Sequence, residues 1–423
     1  MSFLNRNFVN NLLQKQSNLH NWFNRALLIC RALVLYGCLS FVSAQALPYE
    51  EVSRAVHPLK VGVIISSSTN KSNFINYERS CIVRGMARSY FLNNNDAQIR
   101  FIFEEVSDIY AMASGKVAQD LVKQGVRLAV LHLTSTQAEA AADVFSNAGI
   151  PYITSATSLN TIKPGYKGVS ISSSNITMSK IIARYFMANF QYRPIVVVPN
   201  LLNNYSDEFS ELFKREIYSL NHRKHINTYP FGLENELLDD LVARIPDGAF
   251  VFAPLYNPKI GVLYNRLVRA GKKDIIFFGG NVPMNRTEFL KVSGGISEDV
   301  RALFISDWDI DHPATSKSTL EQRRAQSSIQ RIVDTYCDVD GVTTHVTVAY
   351  DLMKMLMAIS DDFKEGTTPK ELMRMIKQSP YNTVTTGNQF SFDDDGFAYK
   401  PMYLFEMTGE KLIHLETFEP LKP

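Results

Sequence analysis

Short continuous apolar runs alternate along the chain with stretches whose apolar residues recur every three or four positions. Lys60 to Ile65 reads as a strand buried on both faces, the pattern of a parallel sheet. Cys81, Ile82, Met86, Ala87, Tyr90 and Phe91 then fall at helical spacing. Ile99 to Phe103 predicts the next strand. Ala111 to Gln124 predicts a helix with Val117, Leu121 and Val122 on one face and Gly125 as its stop. Val126 to Leu131 is a strand, a helix runs from Gln137 to Gly149, and Ile150 to Ile153 is a further strand. Strands that alternate with helices over short connections predict a parallel sheet with helices on both faces.

A second series follows the first. Ile176 to Phe190 reads as a helix and Pro194 to Val198 as a strand. Phe209, Leu212, Phe213 and Ile217 share a helix face, Ile226 to Tyr229 is a strand, and Leu237, Leu238 and Leu241 mark another helix. Ala249 to Ala253 and Ile275 to Phe278 are strands flanking a helix over Ile260 to Ala270. The pattern predicts a second doubly wound module without a residue-by-residue repeat of the first.

The last third departs from this alternation. Ser318 to Tyr336 and His345 to Ser360 are helical, and Pro369 opens another helix at its first position. A turn-rich segment from Gly387 to Gly396 precedes strands over Tyr403 to Met407 and Lys411 to Leu415, joined at Thr408-Gly409. Helices followed by hairpins do not extend a series of strand–helix–strand units, so this tail is expected to pack back on the two modules and tie them together.

Composition narrows the function classes. With 423 residues the chain is too long for one core. Lys plus Arg number 44 against 42 for Asp plus Glu, a net charge of +2, and no basic run suits a phosphate backbone, so no nucleic-acid partner is expected. The N-terminus stands apart. A polar, mildly basic stretch to Arg25 leads into an apolar segment from Ala26 that ends at Ala44-Gln-Ala46, a small-x-small pattern of the kind cleaved in secretory signals. Residues 1–46 are expected to be a signal peptide; an uncleaved membrane anchor or a lipidated Cys38 are the alternatives. Export would leave Cys81 and Cys337, which are expected to be independent buried thiols, although one disulfide between them is open.

Catalytic patterns are missing. There is no G-x-S-x-G elbow, P-loop, G-x-G-x-x-G or H-E-x-x-H, and the eight histidines are scattered. No Cys/His cluster has zinc spacing. Asp393-Asp394-Asp395 lacks the remaining ligands of a calcium loop and reads as a solvated turn. No metal and no cofactor are expected. The strand ends are more informative, because ligands of doubly wound sheets sit outside the carboxyl ends of the strands. His132-Leu-Thr-Ser-Thr-Gln137 and Thr154-Ser-Ala-Thr-Ser158 are both dense in hydroxyls, and both follow strands. Hydroxyls with the unpaired N–H groups of a helix start can hold a carboxylate. They can equally serve as ordinary N-caps and turns. His132 reads as structural.

The stretch from His132 to Ser158 resembles the corresponding part of the leucine/isoleucine/valine-binding proteins, the type I periplasmic binding proteins of ABC transporters. The likeness continues in Gly85-Met-Ala, in Ala349-Tyr-Asp-Leu-Met353 and in the Gly387 to Gly396 segment, over nearly all of Lys60 to Gly409. The resemblance implies two doubly wound α/β lobes joined by a multi-strand hinge. Lobe I would comprise residues 58–172 and 307–397, and lobe II residues 173–306 and 398–423. It implies a ligand carboxylate held by Thr134 and Ser135 and by Ser155, Ala156 and Thr157. Tyr205 and Tyr256 match aromatic contacts of lobe II, and Tyr77 lies near a contact loop, Ser66 to Asn70.

Departures from the family pattern are specific. Where amino-acid binders often place an acid for the ammonium group, this chain has Asn281, whose amide can accept a hydrogen bond but carries no charge. The crossing segment Ile171 to Ser174 lacks a frequent Arg, and the Ser66 to Asn70 loop lacks the usual Gly. The resemblance implies an exported, periplasmic protein that closes on a small molecule, an amino acid or related carboxylate, and meets a membrane permease. A sensor or regulator docking on an envelope protein is the second reading. An enzyme on a similar scaffold is the third.

Overall fold

A computed structural model describes residues 58–67, 81–88, 98–107, 111–306 except 164, 166, 233 and 282–285, 320–336, and 344–420 except 361, 380, 382 and 384–390. The expected export segment over residues 1–46, Tyr77, Ser68 to Asn70 and Cys337 lie outside the described residues.

The first sheet contains β1 (Leu59–Ser67), β2 (Ile99–Ser107), β3 (Leu128–His132), β4 (Tyr152–Thr154) and β5 (Gly168–Ser170) in the order β2-β1-β3-β4-β5, all parallel. Its central strands β1 and β3 are mostly apolar because both of their faces are covered. Val61, Val63 and Ile65 join one core cluster, while Ile64 joins another. The second face is covered by α2 (Ala111–Lys123) and α3 (Ser135–Asn147), through Leu121, Ala138, Ala141 and Phe145. The first is covered by the helical segment 81–88, here α1, and by three late helices. These are α9 (Leu320–Tyr336), α10 (Thr344–Ile359) and α11 (Pro369–Lys377), which contribute Ile329, Leu352, Leu356 and Ile376.

The second sheet has the order β14-β13-β10-β9-β8-β6-β7. It holds β6 (Ile195–Val197), β7 (Ile226–Thr228), β8 (Phe250–Phe252), β9 (Ile275–Phe278) and β10 (Val300–Ser306) in parallel. The hairpin β13 (Met402–Thr408) and β14 (Lys411–Phe418) adds antiparallel to β10. Alternation again sorts the strands. Ile195, Val197, Phe250 and Phe252 face α4 (Asn175–Asn189) and α5 (Asn204–Leu220). Val196 and Val251 face the side of α6 (Asn235–Arg244), α7 (Lys259–Arg269) and α8 (Arg286–Ser293).

The chain passes between the two layers from β5 to α4, from β10 to α9, and from the small hairpin β11 (Ser391–Phe392) and β12 (Ala398–Tyr399) into β13. This is a mixed α/β molecule of two doubly wound sheets joined through several crossings. The tail does pack back as its pattern predicts, with helices on the first sheet and a hairpin on the second. Three elements were not anticipated. β5 is only three residues long and ends in Ser170, α8 covers Arg286–Ser293, and β10 is interrupted by the exposed Arg301. Strand β10 is the element that gives the hairpin its docking edge. The cysteine expectation also needs correcting: Cys81 is disulfide-bonded rather than a free thiol.

Candidate functional site

The loop after β3 is organised around Gln137. Its buried Oε1 accepts from the Thr134 backbone N–H at 3.3 Å, from the Thr134 hydroxyl at 2.9 Å and from the Ser66 hydroxyl at the end of β1, also at 2.9 Å. Thr134 is thereby tied into the cap of α3. Ser135, the first helical residue, is buried to 3% exposure, and no hydrogen bond engages its hydroxyl among the described residues. The helix begins two positions before Gln137, because the Thr134 cap admits Ser135 and Thr136 into its first turn.

The loop after β4 shows the same division. The Thr154 hydroxyl donates to Leu131 O and accepts from Ala156 N, both at 3.1 Å. Ser155 Oγ pairs with His132 Nδ1 at 2.7 Å, which ties one loop to the next. Ala156 O accepts from the Ser170 hydroxyl at 2.7 Å, and Thr157 O accepts from Asn175 N at 2.9 Å. The Thr157 hydroxyl has no hydrogen bond among the described residues. Beyond it, Tyr152 fixes the following turn. Its hydroxyl donates to Thr161 O at 3.0 Å and accepts from Lys163 N at 2.9 Å. The ring needs Gly168 on the neighbouring strand, where a Cβ would lie 2.2 Å from Tyr152 Cζ.

Three sequence-predicted residues of the second sheet come together as a second cluster. Tyr205, in the first turn of α5, is 1% exposed and stacks on Tyr256 with centroids 5.0 Å apart at 19°. Its hydroxyl donates to Asn281 Oδ1 at 2.7 Å. Burial, and then the neighbouring Tyr256, hold the phenol well above its ordinary pKa, so it stays a neutral donor.

The two clusters face each other through polar bonds. Ser135 and Glu139 are one turn apart on α3, and Glu139 Oε2 accepts from Asn204 Nδ2 at 2.6 Å, next to Tyr205. Both carboxylate oxygens of Glu208 accept from Leu159 N at 3.1 Å, and Oε1 accepts from Asn175 Nδ2 at 2.9 Å. Burial, first of all, raises the Glu208 pKa; the Asn175 and Leu159 donors lower it, and Glu139 raises it. The sequence reading missed Glu208. The signal available was its position three residues after Tyr205, on the same helical face. In the crossing segment, Ser173 Oγ and Asn175 Oδ1 are buried with no hydrogen-bond partner among the described residues. Such atoms are costly unless something else satisfies them.

Among the described residues no group of three His, Cys, Asp or Glu could hold a metal, and no helix is long and apolar enough to cross a membrane.

No known family profile matches the chain, and no curated protein matches it in sequence. Solved structures do match. A leucine-binding protein from Thermotoga maritima is 14% identical with a TM-score of 0.68, covering 86% of this chain and 99% of that one. The branched-chain amino acid transporter substrate-binding protein of Streptococcus pneumoniae, in complex with isoleucine, is 18% identical with a TM-score of 0.69, covering 86% and 100%. A solute-binding protein of an ABC transporter from R. palustris, in complex with benzoate, is 14% identical with a TM-score of 0.69, covering 86% and 97%. The two sheets, their crossings and the facing loops are therefore the two-lobed fold seen in the substrate-binding proteins of ABC transporters.

Proposed function

We propose that this chain is an exported substrate-binding protein that captures a small polar, carboxylate-bearing solute between its lobes and delivers it to an ABC permease, without chemical turnover. Lobe I is residues 58–172 and 307–397, and lobe II residues 173–306 and 398–423. The observation that carries the reading is the split within the two hydroxyl loops. Thr134 and Ser155 are consumed by Gln137 and His132, while the Ser135 and Thr157 hydroxyls on adjacent strand ends have no partner among the described residues. A carboxylate would be received there by two hydroxyls and by N–H groups of the first turn of α3. The solutes named for the matched structures, leucine, isoleucine and benzoate, share a carboxylate on an apolar body. Closure by a ligand that touches both lobes would supply the signal to the membrane partner.

Asn281 favours a second reading. Its carbonyl oxygen receives the Tyr205 hydroxyl and carries no charge, which leaves an ammonium group poorly matched. A carboxylate without an α-ammonium group fits this arrangement better than an amino acid does. A sensor or regulator of the same fold, docking on an envelope protein, would share that site.

The deciding experiment is native mass spectrometry of the purified mature chain, followed by calorimetric titration of the co-purified compound into wild type and Ser135→Ala. Retention of a carboxylate compound, bound less tightly by the variant, supports the reading. Unchanged affinity of Ser135→Ala for that compound rules out the assigned site.

A further inference from the structure

A separate groove lies at the opposite edge of the first sheet from the hydroxyl loops. Pro151 and Lys167, which immediately precede β4 and β5, form one wall, so the groove sits at the amino ends of these two strands, and it is the carboxyl end of β4 that carries Ser155 to Thr157. The other wall is α11. The groove has a volume of about 660 Å³, within the range of ligand pockets, and Pro151 and Met373 give it an apolar floor.

Its charge is one-sided. Lys370, Arg374 and Lys377 line it and recur at i, i+4 and i+7, so they form a single cationic row along α11. Lys167 faces them, held as part of the wall by donation from its Nζ to Ser146 O at 2.6 Å. The one acid of the lining, Glu371, is committed elsewhere: its Oε2 accepts both the N–H and the hydroxyl of Thr368 at 2.8 Å, closing the cap of α11. Four cations thus surround an apolar floor in a chain whose net charge is only +2.

We infer that this groove is a docking site for an extended acidic segment of a partner protein. Side chains two apart on an extended strand point the same way and are separated by roughly 6.6 Å. One turn of α11 advances about 5.4 Å. Carboxylates two positions apart therefore match the cationic row, and an apolar residue on the same face of the segment would seat on Met373 and Pro151. Because the groove is at the far edge of the sheet, a segment docked there leaves the interlobe cleft accessible. The inference is independent of the cleft's ligand.

The test is fluorescence polarisation of the mature chain with a library of labelled eight-residue peptides, each carrying two or three Asp or Glu at alternate positions around varied apolar residues. Amide-for-carboxylate copies serve as controls. Saturable binding is expected that weakens at least tenfold between low and 0.5 M salt and at least tenfold in Lys370→Glu/Arg374→Glu. A lysine-bearing copy of the peptide is expected to regain affinity for that variant, which shows that the reversed surface is folded. The inference is overturned if no acidic member binds below 100 μM. It is also overturned if the amide copies bind equally well, if the charge-reversed variant keeps wild-type affinity, or if only RNA or anionic vesicles bind this face.

Discussion

Tyr205 and Asn281, 76 positions apart in sequence, meet at 2.7 Å through a hydroxyl-to-amide hydrogen bond within the second sheet's loop cluster. The contact joins the first turn of α5 to the loop after β9, and it occupies the Asn281 side-chain oxygen. Tyr205→Phe removes this donation and the longer bond at 3.4 Å that the hydroxyl accepts from Asn281 N, and it leaves the Asn281 oxygen without its donor. The expected cost is about 1–3 kcal/mol in urea unfolding. Asn281→Asp keeps the acceptor and adds a charge, so on the proposed function it should raise affinity for α-amino acids, readable by calorimetry as an increase on the order of tenfold.

The same contact depends on Gly280. Its φ is +70°, and a Cβ there would stand 2.7 Å from Tyr205 Oη. Gly280→Ala should therefore cost about 1–3 kcal/mol from backbone strain alone. A loss smaller in the Tyr205→Phe background than in wild type, measured in a double-mutant cycle, would place the clash at the hydroxyl.

Ser135 and Thr134 are neighbours with opposite expected phenotypes. Thr134→Ala removes a capping side chain and should cost about 0.5–2 kcal/mol of stability. Ser135→Ala should leave the unfolding midpoint nearly unchanged and weaken carboxylate binding by about 1–3 kcal/mol. Paired denaturation and binding curves check both at once.

Glu208 makes stability pH-dependent in a defined direction. Its folded pKa is raised above the ordinary 4.5, chiefly by burial. Between 4.5 and the raised value the folded chain holds more protons than the unfolded one, so this group's contribution falls as pH rises through that window and levels off above it. Glu208→Gln should flatten this component while still offering Leu159 N and Asn175 Nδ2 an oxygen. Melting temperatures of both proteins across pH 4 to 8 provide the comparison. An unchanged slope in the variant would assign the pH dependence to other groups.

The first sheet and most of the second were legible because parallel strands buried on both faces leave continuous apolar runs, and the amphipathic helices between them keep a 3.6-residue period. Strand β5 was not, since three residues with one glycine and one serine carry no such signal; Gly168 is fixed by its contact with the Tyr152 ring. The hydroxyl loops were legible as a place but not as a division of labour. Thr134 and Ser135 are adjacent and chemically alike, and only the position of Gln137 at the helix start commits one of them.

Local pattern by itself determined the α/β class, the two modules and the strand ends at which the candidate site lies, because burial period and turn chemistry are written within a few residues. Tertiary structure alone decided which polar groups are spent. His132 reaches Ser155 across neighbouring strands, Tyr205 reaches Asn281, and Glu208 reaches Leu159 on the facing lobe. Each of these partners is 23 or more positions away in sequence. Hydrogen bonds form within about 3 Å of space regardless of that separation, so the roles of these residues follow from how the layers pack and not from their order in the chain.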